Sequence, residues 1–165
     1  MEPRIDYEHA SPQALKAMFN LQGAVNRSGL ETSIQEFVKL RASQINGCAY
    51  CVDMHFKDAK AHGENLEKLN LVCVWREAPH FSERERAALL WTETLTRIAD
   101  QGVPDDVFDE VRQQFSEEEL VNLTLAVITI NAWNRIAISF RPEVGPYQPP
   151  ATVIRKEAVE QTVLS

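Results

Sequence analysis

The sequence predicts an all-α protein, a compact bundle of about seven helices. Three observations carry that expectation. Helix-start signals recur along the chain, at Ser11-Pro12, Ser33-Ile34-Gln35-Glu36, Ser82-Glu83-Arg84-Glu85 and Ser116-Glu117-Glu118-Glu119. Apolar residues behind these signals return at three- and four-residue spacing. No run shows sustained two-residue alternation between hairpin turns.

The elements follow in order. Ser11-Pro12 places a proline in a first helical turn, where its missing N–H is not needed. Leu15, Met18, Phe19, Leu21 and Val25 continue near helical spacing to a stop at Gly29. A second helix opens at Thr32-Ser33 with Glu36 closing a capping box, carries Phe37, Leu40 and Ile45, and ends at Asn46-Gly47. A third starts at Cys48 and ends at His62-Gly63. A fourth runs from Asn65 to near Glu77, ahead of a loop at Pro79. The Ser82 box opens a fifth, with Ala88, Leu89, Trp91, Leu95 and Ile98 on it and Gly102 as its stop. Pro104 begins a shorter sixth helix through Phe115. The Ser116 box opens the last, which continues to Phe140 and stops before Pro142. Two regions result: a helical domain over residues 1–141 and a tail or arm over 142–165. Prolines at 142, 146, 149 and 150 bar a regular helix from the start of the tail, while residues 153–164 suit a short terminal helix.

Composition narrows the function. A chain of 165 residues fits one domain with a real core, and 44% apolar with 25% charged residues is the balance of a folded soluble protein. The net charge of −7 argues against a nucleic-acid surface, which needs clustered Lys and Arg. The first residues lack the basic-then-apolar pattern of a secretory signal. The most apolar run, Leu123 to Trp133, is shorter than the ~20 residues of a membrane span. The expected location is therefore cytoplasmic, with no membrane partner. There thiols stay reduced, so three cysteines point to redox or metal chemistry rather than a disulfide framework.

The chemistry concentrates in QINGCAYCVDMH, Gln44 to His55. On one helix, Cys51 lies at about 300° and His55 at about 340° from Cys48, so two thiols and an imidazole share one face. Asn46-Gly47 breaks the chain just upstream and leaves the cysteines in the first turns, where free N–H groups and the helix dipole favour a thiolate. Three readings compete. The cysteines are small core residues; or Cys48, Cys51 and His55 bind zinc with a fourth ligand from His62, Glu36 or Cys73; or they form a dithiol redox centre with His55 as proton partner. The absence of a second cysteine pair disfavours zinc, and the redox reading is preferred.

The stretch LRASQINGCAYCVDMH, Leu40 to His55, resembles the core motif of the alkylhydroperoxidase D (AhpD)-like group within the carboxymuconolactone decarboxylase family. That motif is a glutamate, eleven residues, then C-x-x-C-x-x-x-H, and Glu36, Cys48, Cys51 and His55 fit it. The likeness extends through NAWNR, Asn131 to Arg135, and covers roughly residues 15–141. It implies an all-helical fold assembled as a homo-oligomer, with a hexamer favoured and a trimer possible. It also implies thiol-dependent reduction of organic hydroperoxides with no cofactor and no metal, the electrons coming from an external dithiol or lipoyl-type reductant. By position, Cys51 would be the peroxidatic thiol, Cys48 the resolving thiol and proton donor, and Glu36 with His55 the proton relay. One departure stands out: characterised members can carry histidine just before the second cysteine, where this chain has Tyr50. Lactone decarboxylases proper do without the cysteine pair. The rival functions are a redox-sensing or binding oligomer and a carboxymuconolactone decarboxylase-like enzyme.

Other residues have plainer expectations. Cys73, in LVCVW, reads as an inert core thiol, and His62 as a partner for the end of its own helix. Arg41 reads as one half of a salt bridge, and Trp75 and Trp91 as core or interface residues. Asn131, Asn134 and Arg135 sit inside an apolar helix and must find partners across helices or subunits. That last helix is apolar on more than one face, which itself points to an oligomer.

Overall fold

The computed structural model describes residues 2–150. It contains nine α-helices and no strand among the described residues: α1 Tyr7–Ala10, α2 Pro12–Asn26, α3 Thr32–Asn46, α4 Ala49–Ala61, α5 Leu66–Leu71, α6 Glu83–Thr96, α7 Ile98–Gln101, α8 Asp105–Arg112 and α9 Glu117–Phe140, with a 3-10 turn at Val72–Val74. The all-α expectation holds. The count is higher because the fifth expected helix is broken into two and one short helix, α1, was not foreseen; the fourth also ends early. The fourth stops at Leu71 and tightens into the 3-10 turn. The fifth stops at Thr96, where Arg97 leaves helical geometry before α7 begins. The short α1 is capped by the Asp6 carboxylate, which accepts from the His9 N–H.

Helix α3 is the hub, packing against α4, α6 and α9. Its sides feed two apolar clusters. Ile34, Val38 and Ala42 face Ala88 and Trp91 of α6 and Leu123, Val127 and Ile130 of α9. Phe37 and Leu40 face Ala59 of α4, Leu69, Val72, Trp75 and Phe81. Phe37, Val38 and Leu40 are at most 1% exposed. Burying one such side chain contributes roughly 1.5–3 kcal/mol, so α3 is held by its surroundings more than by its own propensity.

Two capping boxes form as expected, with Ser82 and Glu85 on α6 and Ser116 and Glu119 on α9 exchanging side chain–backbone bonds. The third expectation fails. Glu31 is the N-cap of α3, no side chain caps it, and the Glu36 carboxylate turns inward to Lys39 instead of back to Ser33. Helix α9 has the length and apolar composition to cross a membrane. It nonetheless opens on three glutamates and packs against α2, α3, α6 and α8, as the central helix of a bundle does.

Asn131 and Asn134 of α9 find partners across helices as anticipated, whereas Arg135 donates to Asn131 on its own helix. Asn46 Nδ2 donates to Asn131 Oδ1 at 3.0 Å and to Asn134 Oδ1 at 2.8 Å, and Asn134 Nδ2 donates to Ser43 Oγ at 3.0 Å. These bonds lock the end of α3 to α9 beside Cys48. Arg41 pairs with Glu93 at 2.6 Å, and Glu93 also accepts from Trp75 Nε1 at 2.9 Å and from Arg76. Burial alone would raise the Glu93 pKa, but these three donors together hold it below the usual carboxylate range. Cys73 is a correction: its thiol is exposed, because Val72 and Trp75, not Cys73, face inward from the 3-10 turn. The expected terminal helix over 153–164 lies outside the described residues.

Candidate functional site

Helices α3 and α4 form an antiparallel hairpin with a one-residue pivot. Gly47 takes the left-handed conformation at φ 68°, and its N–H returns to the carbonyls of Ser43 and Gln44. A Cβ at Gly47 meets no neighbour, so the requirement for glycine comes from the backbone angle. The Cys48 N–H donates to Ser43 O at 3.0 Å, and α4 starts at once. Cys48 is the N-cap: its Sγ accepts from the Cys51 N–H at 3.4 Å. Cys48 and Cys51 are joined as a disulfide with Cα atoms 5.4 Å apart, and each residue is 2% exposed.

The hairpin sets levels. Lys39 and His55 both lie eight residues from Gly47, and Glu36 and Asp58 both lie eleven. At 1.5 Å per residue these are about 12 Å and 16 Å along the axes. Lys39 therefore stands level with His55, and Glu36 one turn deeper, level with Asp58. Glu36 Oε1 receives Lys39 Nζ at 3.1 Å and has His62 Nδ1 at 3.6 Å. Its other oxygen, Oε2, has no partner among the described residues. Neither ring nitrogen of His55 has a hydrogen-bond partner there; the nearest carboxylate oxygen, Asp58 Oδ2, is 3.8 Å from Nδ1.

Burial governs the protonation states. His55 is 6% exposed, and its pKa falls from 6.5 to about 3, first because burial penalises the imidazolium and second because Lys39 is near. It is a neutral imidazole, so its approach to Asp58 is not an ion pair. Burial raises the Glu36 pKa against the pull of Lys39, and raises Asp58 against the hydrogen bond from Tyr147. Burial also raises the phenol pKa values of Tyr50 and Tyr147.

Cys51 and His55 open onto a cavity of about 250 Å³. Its walls include Tyr7, Phe19, Tyr50, Met54 and Trp133, with Lys39 and Asp58 as polar members. Phe19 and Trp133 bring their rings within 5.1 Å of each other. The tail closes one side: Lys57 Nζ donates to the carbonyls of Gly145 at 2.7 Å and Tyr147 at 3.2 Å, and Tyr147 Oη donates to Asp58 Oδ1 at 2.6 Å.

The arrangement places Cys51 and His55 in the cavity wall, with Cys48 bonded to Cys51 but outside that lining, and sets Glu36 behind Lys39. Sequence reasoning missed Lys39, Asp58 and Tyr147. Lys39 was legible as the residue level with His55 across the Gly47 pivot, and Asp58 as the i+3 neighbour of His55. Nothing local marked Tyr147. His62 departs from its plain expectation: it ends α4, yet its ring faces Glu36 across the hairpin. Trp133 of α9 lines the cavity as well. Among the described residues no three His, Cys, Asp or Glu side chains converge in a metal-binding arrangement.

Fold and site together define an all-α protein with a paired-cysteine centre beside an apolar cavity. Residues 12–94 match the carboxymuconolactone decarboxylase family, and the chain belongs to it. The uncharacterized protein YdfG of Bacillus subtilis is 37% identical over 139 residues, covering 84% of this chain and 95% of that one. A crystal structure from Agrobacterium tumefaciens is 48% identical with a TM-score of 0.86, covering 88% of this chain and 100% of its own. That protein is of unknown function, and its description suggests antioxidant defence and AhpD. The debrominase Bmp8 shares the fold at 19% identity and a TM-score of 0.74, covering 84% of this chain and 74% of its own. The family thus includes enzymes, and the AhpD-like resemblance holds.

Proposed function

We propose that the protein is a thiol-dependent peroxidase that reduces organic hydroperoxides through Cys48 and Cys51. The observation that carries this reading is the position of Cys51: it lies in the wall of an aromatic-lined cavity, beside a neutral imidazole and joined to a second cysteine. In the reduced protein the Cys51 thiolate attacks the distal oxygen of the hydroperoxide. The O–O bond breaks, Cys51 becomes a sulfenic acid, and the alkoxide leaves with a proton. Cys48 then attacks the sulfenic sulfur, forms the disulfide and releases water. A dithiol restores both thiols. His55 stays neutral and relays: one ring nitrogen takes up a proton as the other gives one to the alkoxide, so the proton of the Cys51 thiol reaches the leaving oxygen without an imidazolium being formed. Glu36 acts through Lys39, which links its carboxylate to the level of His55.

The cavity walls favour an apolar or aromatic hydroperoxide. The expected setting is the cytoplasm, and the expected assembly a homo-oligomer, a hexamer before a trimer. Val121, Leu125 and Ile128 lie exposed along α9 and would supply the contact.

Turnover of cumene hydroperoxide with dithiothreitol tests the reading, alongside mass spectrometry of peroxide-treated Cys48→Ser. Expected are steady consumption in the wild type, none in Cys51→Ser, and Cys51 sulfenic acid in Cys48→Ser. A single oxidation without turnover marks a redox sensor, and turnover of another substrate surviving Cys51→Ser marks lactone-type chemistry. Sulfenic acid found at Cys48 in Cys51→Ser, and absent at Cys51 in Cys48→Ser, reverses the cysteine roles.

A further inference from the structure

The disulfide stands in a partition between two cavities. Cys51 lines the cavity of about 250 Å³ described above and not the other. Cys48 lines a second cavity, of about 600 Å³, and not the first. Tyr50 and Ala137 line both, and these two residues are also the ones packed against the cysteine pair. The second cavity is walled by the pivot Gly47, by the end of α9 at Ile138 and Arg141, and by Val144 of the tail.

We propose that the second cavity is the entry site of the reductant, a neutral aliphatic dithiol, which attacks Cys48 while the oxidant meets Cys51 from the other side. The proposal rests on the peroxidase reading and assigns the two half-reactions to separate doors. Thiol–disulfide exchange is a displacement in which the attacking sulfur approaches along the S–S axis, opposite the leaving sulfur. A thiolate aimed at Cys48 with Cys51 leaving therefore comes from the side of the second cavity. The carrier sulfur bonds to Cys48, the Cys48–Cys51 bond breaks, and its electron pair stays on Cys51 as thiolate. The second carrier thiol gives up its proton and attacks the first carrier sulfur. The carrier closes to a disulfide and Cys48 leaves as thiolate. Two electrons pass from carrier to protein, and the proximal product is the Cys51 thiolate, already facing the oxidant cavity.

Two features select the carrier. Cys48 lines the second cavity yet is only 2% exposed, which puts it out of reach of a thiol flush with a folded protein's surface and favours a slender arm. The walls carry Arg141 with Glu2 and Glu143, on a chain of net charge −7, which disfavours an anionic thiol.

The test separates the half-reactions. Protein oxidised with diamide is reduced by dithiothreitol or dihydrolipoamide, and free thiols are read by alkylation and mass spectrometry. This arm gives a rate whether or not the thiols react with hydroperoxide, so failure of the peroxidase reading stays distinguishable. Ile138→Trp and Val144→Trp fill the second cavity from two separate segments, both at positions about half exposed. Each is expected to slow reduction at least tenfold and to leave single-turnover oxidation by cumene hydroperoxide within twofold. Met54→Trp, in the first cavity, is expected to do the reverse. Oxidised wild-type protein treated with cysteamine is expected to carry the mixed disulfide on Cys48. Reduction unchanged in both tryptophan variants, equal slowing of both half-reactions, or an adduct on Cys51 overturns the proposal. Should a variant misfold, the wild-type adduct decides.

Discussion

His55 makes the protein acid-sensitive by a predictable amount. Its folded-state pKa is about 3, against 6.5 for the free side chain. Between those values the unfolded chain binds a proton that the native imidazole refuses, so native stability is lost as pH falls from above 6.5 toward 3. From pH 8 to pH 5 the loss is about 2 kcal/mol, since each pH unit below 6.5 contributes about 1.4 kcal/mol. Glu36 and Asp58 act in the opposite sense. Their raised pKa values add stability as pH falls, and they are present in wild type and variant alike. The His55→Leu variant isolates the imidazole. Urea unfolding of both proteins at pH 8 and pH 5, with the disulfide intact, is expected to show the variant gaining about 2 kcal/mol on the wild type at the lower pH. A gain below about 0.5 kcal/mol refutes the reasoning, because it shows an imidazole that protonates freely and a site wet enough to deny it the role of neutral base.

Glu93→Gln leaves Arg41 and Arg76 without their shared carboxylate and is expected to cost about 3–5 kcal/mol, read as a lowered urea midpoint. Lys39→Met removes the cation level with His55. Alkylation of Cys51 in a Cys48→Ser background is expected to shift its apparent pKa upward by about one unit, with Lys39→Arg restoring it; an unchanged profile confines Lys39 to holding Glu36. Tyr147→Phe loses the bond to Asp58 and is expected to cost about 1 kcal/mol in unfolding experiments while raising the KM for a bulky hydroperoxide more than it lowers kcat. Ser116→Ala removes the cap of α9 and is expected to cost about 1 kcal/mol, seen as a lower melting temperature.

What was legible in the sequence was what short-range chemistry decides. The boxes at Ser82 and Ser116 formed because cap and acid are three residues apart and each glutamate keeps its Oε2 for the cap N–H while its Oε1 meets a cation, Lys68 for Glu85 and Arg84 for Glu119. The box at Ser33 failed because Glu36 lies on the face that α4 covers, where its carboxylate turns away from the cap and its Oε1 meets Lys39 and His62. The break at Arg97 carries no glycine or proline. Only the backbone of Arg97, at φ −108° and ψ 27°, marks the end of that helix, and no local sequence pattern reports it. Cys73 was misplaced because an apolar neighbourhood in sequence is not one in space: a 3-10 turn redistributes which of three consecutive residues faces inward.

The site was legible further than its motif, through the hairpin. Gly47 fixes where α3 turns into α4, and from that point position along one helix converts directly into position along the other. The eleven residues between Glu36 and Cys48 then acquire a physical meaning. They are three turns, enough to set the glutamate level with Asp58 and beyond direct reach of an imidazole one turn nearer the pivot. Lys39 stands at the level of His55, where its charge adds to burial in lowering the His55 pKa while it holds the Glu36 carboxylate. In the proposed relay Lys39 is the link, and its side chain is 13% exposed in the same cavity wall as Asp58 and Tyr147. The tail reaches the site through the Tyr147–Asp58 hydrogen bond, which leaves no spacing pattern because contact across 89 residues is decided by packing alone.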